Sequence, residues 1–70
     1  MENIVKELKE KYEEGVEITY MEKGDTFNVS IIVKKYENDY VSGDIGVSRN
    51  TLHEDAILAI SSFVDELINS

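Results

Sequence analysis

The first dozen positions carry apolar residues at helical spacing. Ile4, Val5, Leu8 and Tyr12 fall on one face, which predicts a helix over 2–14. Glu2 with Lys6, and Glu7 with Lys11, form favourable i,i+4 pairs on the other face. Gly15 is placed to end the helix in a left-handed cap. The period then changes to two. Val16, Ile18 and Tyr20 alternate with Glu17, Thr19 and Met21, the mark of a half-buried strand. Glu22-Lys23-Gly24-Asp25 supplies a glycine-bearing hairpin loop. Phe27, Val29, Ile31 and Val33 alternate with Thr26, Asn28, Ser30 and an outward Ile32. A second turn at Tyr36-Glu37-Asn38-Asp39 leads to a strand from Tyr40 to Val47, with Val41, Ile45 and Val47 on one face. Gly43 and Gly46 within it suggest a bulge or a close approach by another element.

The closing helix begins at Thr51-Leu52-His53-Glu54, which has the form of a capping box. Leu52, Ala56, Ile60, Phe63 and Leu67 make its apolar stripe, widened by Ile57, Val64 and Ile68. Leu58 falls on the polar side with Glu54, Asp55, Ser61 and Asp65. Seventy residues make a single domain over 1–70. The expected class is α+β, in the order α-β-β-β-α, with a three-stranded antiparallel sheet and both helices packed on one face. The expected core is Leu8, Ile18, Phe27, Val29, Ile31, Val41, Ile45, Ala56, Ile60, Phe63 and Leu67. The uncovered sheet face would carry Glu17, Thr19, Met21, Asn28, Ser30, Ile32 and Lys34, with Met21 and Ile32 as its apolar spot.

Composition narrows the function classes. Apolar residues make up 41% of the chain, too many for a disordered segment. There is no cysteine, so neither a disulfide nor a thiol nucleophile exists. The start Met1-Glu2-Asn3-Ile4 lacks the basic and apolar regions of a signal peptide, and a cytoplasmic location is expected. Fifteen Asp and Glu face seven Lys and Arg, a net charge of −8. Nucleic acids and anionic membranes repel such a surface, while basic protein surfaces attract it.

Enzyme chemistry finds little to work with. His53 is the only histidine, so no histidine metal cluster can form. Ser48, Ser61 and Ser62 lack a nucleophile-elbow motif around them. The pairs Glu13-Glu14, Glu54-Asp55 and Asp65-Glu66 point in different directions on a helix and do not converge as acid and base. Gly43-Asp44-Ile45-Gly46 has neither the Walker spacing nor the dinucleotide fingerprint. Calcium-loop spacing is missing from Glu37 to Asp44. No enzyme activity, cofactor or metal is expected.

Two resemblances bear on function. The order of elements resembles a double-stranded RNA-binding domain. Gly46-Val47-Ser48-Arg49-Asn50 and Ala56-Ile57 look like that family's glycine, serine, paired lysines and alanine-rich second helix. Where the family grips phosphates with lysines, this chain has Arg49, Asn50 and His53. The resemblance therefore implies the fold without the RNA-binding activity, and a module for protein–protein contact or homodimerisation through Met21, Ile32 or Leu58. From residue 1 to about 66 the chain also resembles small acidic anti-CRISPR proteins that phages encode against type II effector nucleases. Asn38-Asp39-Tyr40-Val41 is similar to the turn into their third strand, where carboxylates imitate DNA phosphates. That resemblance implies a partner-binding site at Glu37, Asp39, Tyr40 and Asp44. It also implies an inhibitor acting on a basic, nucleic-acid-binding protein in the host cytoplasm. A gel-shift titration with double-stranded RNA at physiological ionic strength is expected to show no complex at micromolar protein, because phosphate neutralisation has almost no cations to draw on.

Overall fold

The computed structural model describes residues 1–12 and 15–70. The elements are α1 (Glu2–Lys11), β1 (Val16–Lys23), β2 (Thr26–Tyr36), β3 (Asp39–Ser48) and α2 (His53–Ile68). The strands form one antiparallel meander in the order β1-β2-β3. The two helices cover one face of it, burying Leu8, Ile60 and Val64 against Ile18, Val29 and Ile31. The α-β-β-β-α architecture expected from the alternation is thus the one observed. No helix among the described residues is long and apolar enough to cross a membrane.

Each hairpin shows why its residues turn. β1 and β2 pair through Lys23↔Thr26, so the loop is only Gly24-Asp25. Gly24 has φ of 58° and Asp25 does not have positive φ, the arrangement of a type II′ turn with glycine first. In the second hairpin, Tyr36 pairs with Asp39 and the loop is Glu37-Asn38. Neither residue has positive φ, so the primed turns that match strand twist are excluded. A register shift between Lys34 and Tyr36 makes Lys35 a bulge residue, and the extra twist of a bulge takes up the mismatch. Gly43 and Gly46 are therefore not the bulge. Gly43 instead allows a close approach: a Cβ there would lie 2.6 Å from Phe63 Cζ.

The C-terminus of α1 and the N-terminus of α2 differ from expectation. Glu13 and Glu14, the last residues of the expected first helix, lie outside the described residues, and α1 ends at Lys11 with Tyr12 as C-cap. Gly15 has the positive φ anticipated, 80°, but its carbonyl accepts the Lys34 amide at 2.7 Å. It opens the sheet rather than closing the helix. The capping box does not form. Leu52 occupies the N-cap position, no side chain caps the helix, and the Thr51 amide is turned back to the Ser48 carbonyl at 3.0 Å. The turn over 48–51 has claimed the threonine, so α2 starts one residue later than the motif requires. Glu54 and Asp55 still lie in its first turn, where their charge favours the helix dipole.

The core is centred on β2 and is displaced from the expected one. Leu8, Ile18, Val29, Ile31, Ala56 and Ile60 are buried as expected, and Ile4, Val5, Val33, Val47 and Val64 join them. Phe27, Val41, Ile45, Phe63 and Leu67 are only half-buried. Leu52, expected at the head of the stripe, is 71% exposed. Ser61, expected on the polar side, is buried. It faces α1, accepting a hydrogen bond from Lys11 Nζ at 3.4 Å, while its carbonyl lies 3.3 Å from the Tyr12 hydroxyl. Stability should follow this geometry in urea denaturation. Leu8→Ala is expected to cost about 2–5 kcal/mol. Gly43→Ala is expected to cost about 1–3 kcal/mol through overpacking against Phe63. In a Phe63→Ala background the same methyl is expected to cost nothing, so the two substitutions couple.

Candidate functional site

The four residues expected to bind a partner do not form one patch. Glu37 is in the β2–β3 loop, and Asp39 is the first residue of β3. Strand alternation turns Asp39 to the helix side and Tyr40 to the open face. Tyr40, paired with Lys34, is followed on that face by Ser42 and Asp44. Asp44 is four residues from Tyr40, about 13 Å along the strand at the usual rise, and accepts a hydrogen bond from Ser30 Oγ at 2.8 Å. Glu37 and Asp39 therefore share the hairpin end, whereas Tyr40 and Asp44 share the open face.

Other features gather around them. The open face bears a shallow depression bordered by Gly15, Val16, Glu17, Ile32, Lys34, Tyr40 and Ser42. Ile32 therefore neighbours Tyr40, not Met21. Met21 pairs with Asn28, four residues along β2 from Ile32, so the expected apolar spot is divided in two. The C-terminal end of α2 comes to the hairpin end, where Lys35 Nζ donates to the Ser70 carbonyl. Ile68 lies beside Val33, Lys35 and Tyr36 there.

Charge is distributed unevenly along the chain. Residues 37–70 contain Glu37, Asp39, Asp44, Glu54, Asp55, Asp65 and Glu66, with Arg49 as the sole Lys or Arg. Arg49 is already engaged at the opposite end of the sheet. Its guanidinium pairs with Glu22, donates to the Gly24 carbonyl at 3.0 Å and stacks 5.5 Å from the Phe27 ring centre. Its amide donates to the Asp25 carbonyl at 2.7 Å. The one certain cation at the position of the RNA-binding lysines thus clamps the β1–β2 turn. Among the described residues, none of the seven carboxylates from Glu37 to Glu66 is in an ion pair. Asp65 accepts the Tyr12 hydroxyl at 2.9 Å. His53 Nε2 lies 3.3 Å from Glu7 Oε1, with both side chains about half exposed. No group of three His, Cys, Asp or Glu among the described residues is arranged to hold a metal ion.

The last turn of α2 gives the Asp65-Glu66 pair an electrostatic setting that its spacing alone does not reveal. It contains no basic residue, while Asp65 and Glu66 stand where the helix dipole is negative. Like charge at that end is unfavourable, and the absence of Lys or Arg after Arg49 was the available signal. Glu66→Lys is expected to raise stability by about 0.3–1 kcal/mol in low salt. The gain should shrink as salt is added, measured by denaturation at two ionic strengths. The chain matches no protein-family model, no curated protein and no solved structure.

Proposed function

We propose that this domain is a protein-binding regulator that docks its acidic half on a basic surface of another protein. The observation that carries the reading is the run of seven carboxylates from Glu37 to Glu66 with no ion pair among the described residues. An acidic surface kept only for solubility is ordinarily interspersed with cations, as residues 1–36 are with their six lysines. Carboxylates left free on a rigid sheet and helix are available to meet lysines and arginines of a partner. Long-range attraction then accelerates encounter and sets specificity. The partner class with the strongest basic field is a nucleic-acid-binding protein, and occupation of its phosphate groove would inhibit it. The similarity to phage inhibitors of effector nucleases points to the same class, with contacts at two places, Glu37 and Asp39 at the hairpin end and Tyr40 and Asp44 on the open face. Docking of this kind needs neither cofactor nor catalysis.

The second reading is a protein–protein or dimerisation module that uses apolar surface. The depression beside Ile32 and Tyr40 favours it, since both side chains are exposed there.

The test is capture of basic proteins from host lysate by the domain, followed by competition between the captured protein's nucleic acid and the domain. Glu37→Lys with Asp39→Lys is expected to leave the fold intact, since surface changes usually move stability by no more than about 0.5 kcal/mol. The same pair is expected to weaken capture at least tenfold, and binding by the unsubstituted domain is expected to fall steeply with salt. Salt-insensitive capture that the double substitution leaves unchanged would instead favour the Ile32–Tyr40 surface.

A further inference from the structure

β3 is an edge strand whose outer side pairs with no described element. It runs ten residues, Asp39–Ser48, without a Lys, Arg or Pro. Free edges of this length usually carry such residues to discourage added strands. β1, the other edge, is shorter and bears Glu17, Glu22 and Lys23, whereas β3 bears only the two carboxylates Asp39 and Asp44 and no cation. The apolar cover beside β3 is also incomplete, although Val47 at its far end is buried. Val41 and Ile45 on its helix side are half-buried, and so are Phe63 and Leu67 of α2, whose side chains lie against Gly43. All four are residues that hydrophobic patterning assigns to the core, and all four line the one seam between β3 and the outer flank of α2. At helical spacing Glu66 neighbours Phe63 on that flank, one turn on. On the other face of the same edge stand Tyr40 and Asp44.

We propose that the free edge of β3 binds an extended basic segment of a partner protein by strand addition. The segment alternates apolar and cationic residues. Its apolar side chains complete the seam over Val41, Ile45 and Phe63, and its lysines or arginines lie beside Asp44 and the Tyr40 ring on the open face. Main-chain hydrogen bonds supply affinity and the alternation supplies specificity, as in other strand-adding recognition. A second copy of this chain fits the edge poorly, because antiparallel pairing of two β3 strands would bring the acidic halves of both chains together. The inference rests on the reading of the domain as a binder of basic protein surface, and it specifies the segment and the strand.

The test uses the full 70-residue chain and a capped peptide of five Lys-Val repeats. Two further peptides carry N-methyl groups on every lysine or on every valine amide. Successive amides of a strand point to opposite sides, so each methylated peptide loses the hydrogen bonds of one side only. Amide shifts in the protein's NMR spectrum are expected to concentrate on residues 39–48, with slowed hydrogen exchange there. One methylated peptide is expected to bind like the parent and the other at least tenfold more weakly. Asp44→Asn is expected to weaken the parent peptide severalfold. Equal, salt-sensitive binding of all three peptides would overturn strand addition while leaving the acidic-surface reading in place. Shifts confined to β1, or no binding by millimolar peptide, would also overturn it, and the lysate capture would then judge the broader reading separately. A free protein that sediments as a dimer with β3 already protected would overturn the choice of occupant in favour of a second copy.

Discussion

A three-stranded sheet has one face to bury, and this chain has two short helices with which to bury it. Most other features of the molecule follow from how far that cover reaches. The dry centre forms where α1 and α2 meet over β2, with Leu8, Ile60 and Val64 above Ile18, Val29 and Ile31. A domain of this size buries only about 60% of its unfolded surface, so the cover must end somewhere. Towards β1 it ends on α1, with Ile18 almost fully buried but Tyr20 beyond it exposed. Towards β3 it ends on one helix flank, with Val47 buried but Val41 and Ile45 left half in water. Gly43 permits even this much cover, because only a residue without Cβ lets the Phe63 ring settle on the strand.

Electrostatics reinforces the division. The end of the sheet at the β1–β2 turn is closed by Arg49, which joins Glu22, Gly24, Asp25 and the Phe27 ring in one clamp. Tyr20 meets the same ring edge-on at 6.1 Å, so two aromatic side chains and a cation pack over the turn. Among the described residues, the end at the β2–β3 turn has no such clamp. Its loop lacks the glycine that a primed turn needs, it requires a bulge at Lys35, and Glu37 and Asp39 project from it. One end is thus spent on holding the hairpin together and the other presents charge.

Much of this was legible in the sequence, and the failures have identifiable physical causes. Strand alternation reports which side chains share a face, so the three strands, the outward Ile32 and the close approach at Gly43 were all readable. Helical periodicity gives the direction of an apolar stripe but not the position of the helix axis over the sheet. Hence Phe63, Leu67, Val41 and Ile45 were placed in a core that stops short of them, and Ser61, facing α1, was placed in solvent. The capping box failed because the 48–51 turn competes for Thr51, a tertiary choice that a four-residue motif does not encode. The grouping of Glu37, Asp39, Tyr40 and Asp44 could have been corrected from the alternation alone, since residues 39 and 40 of one strand must face opposite ways. The engagement of Arg49 could not, because Glu22 and Gly24 reach it only through the sheet register.

The last turn of α2 shows how these levels conflict. A sequence specifies a fold well when local choices agree with the whole, and here the type II′ glycine, the acidic first turn of α2 and the alternating strands all agree. Asp65 and Glu66 do not. They oppose the helix dipole at an end where a lysine would stabilise the helix, in a small domain with little stability to spare. Tyr12 partly offsets the conflict by donating to Asp65, which also ties α1 to α2. Glu66 has no such partner among the described residues, and it stands one turn beyond Phe63, beside the thinly covered seam. Uncompensated charge and uncovered apolar surface therefore occur together, on the flank of the molecule where its own helices stop. A partner that brings both cations and apolar side chains to that flank relieves the two defects at once, whereas a purely basic or purely apolar surface relieves only one.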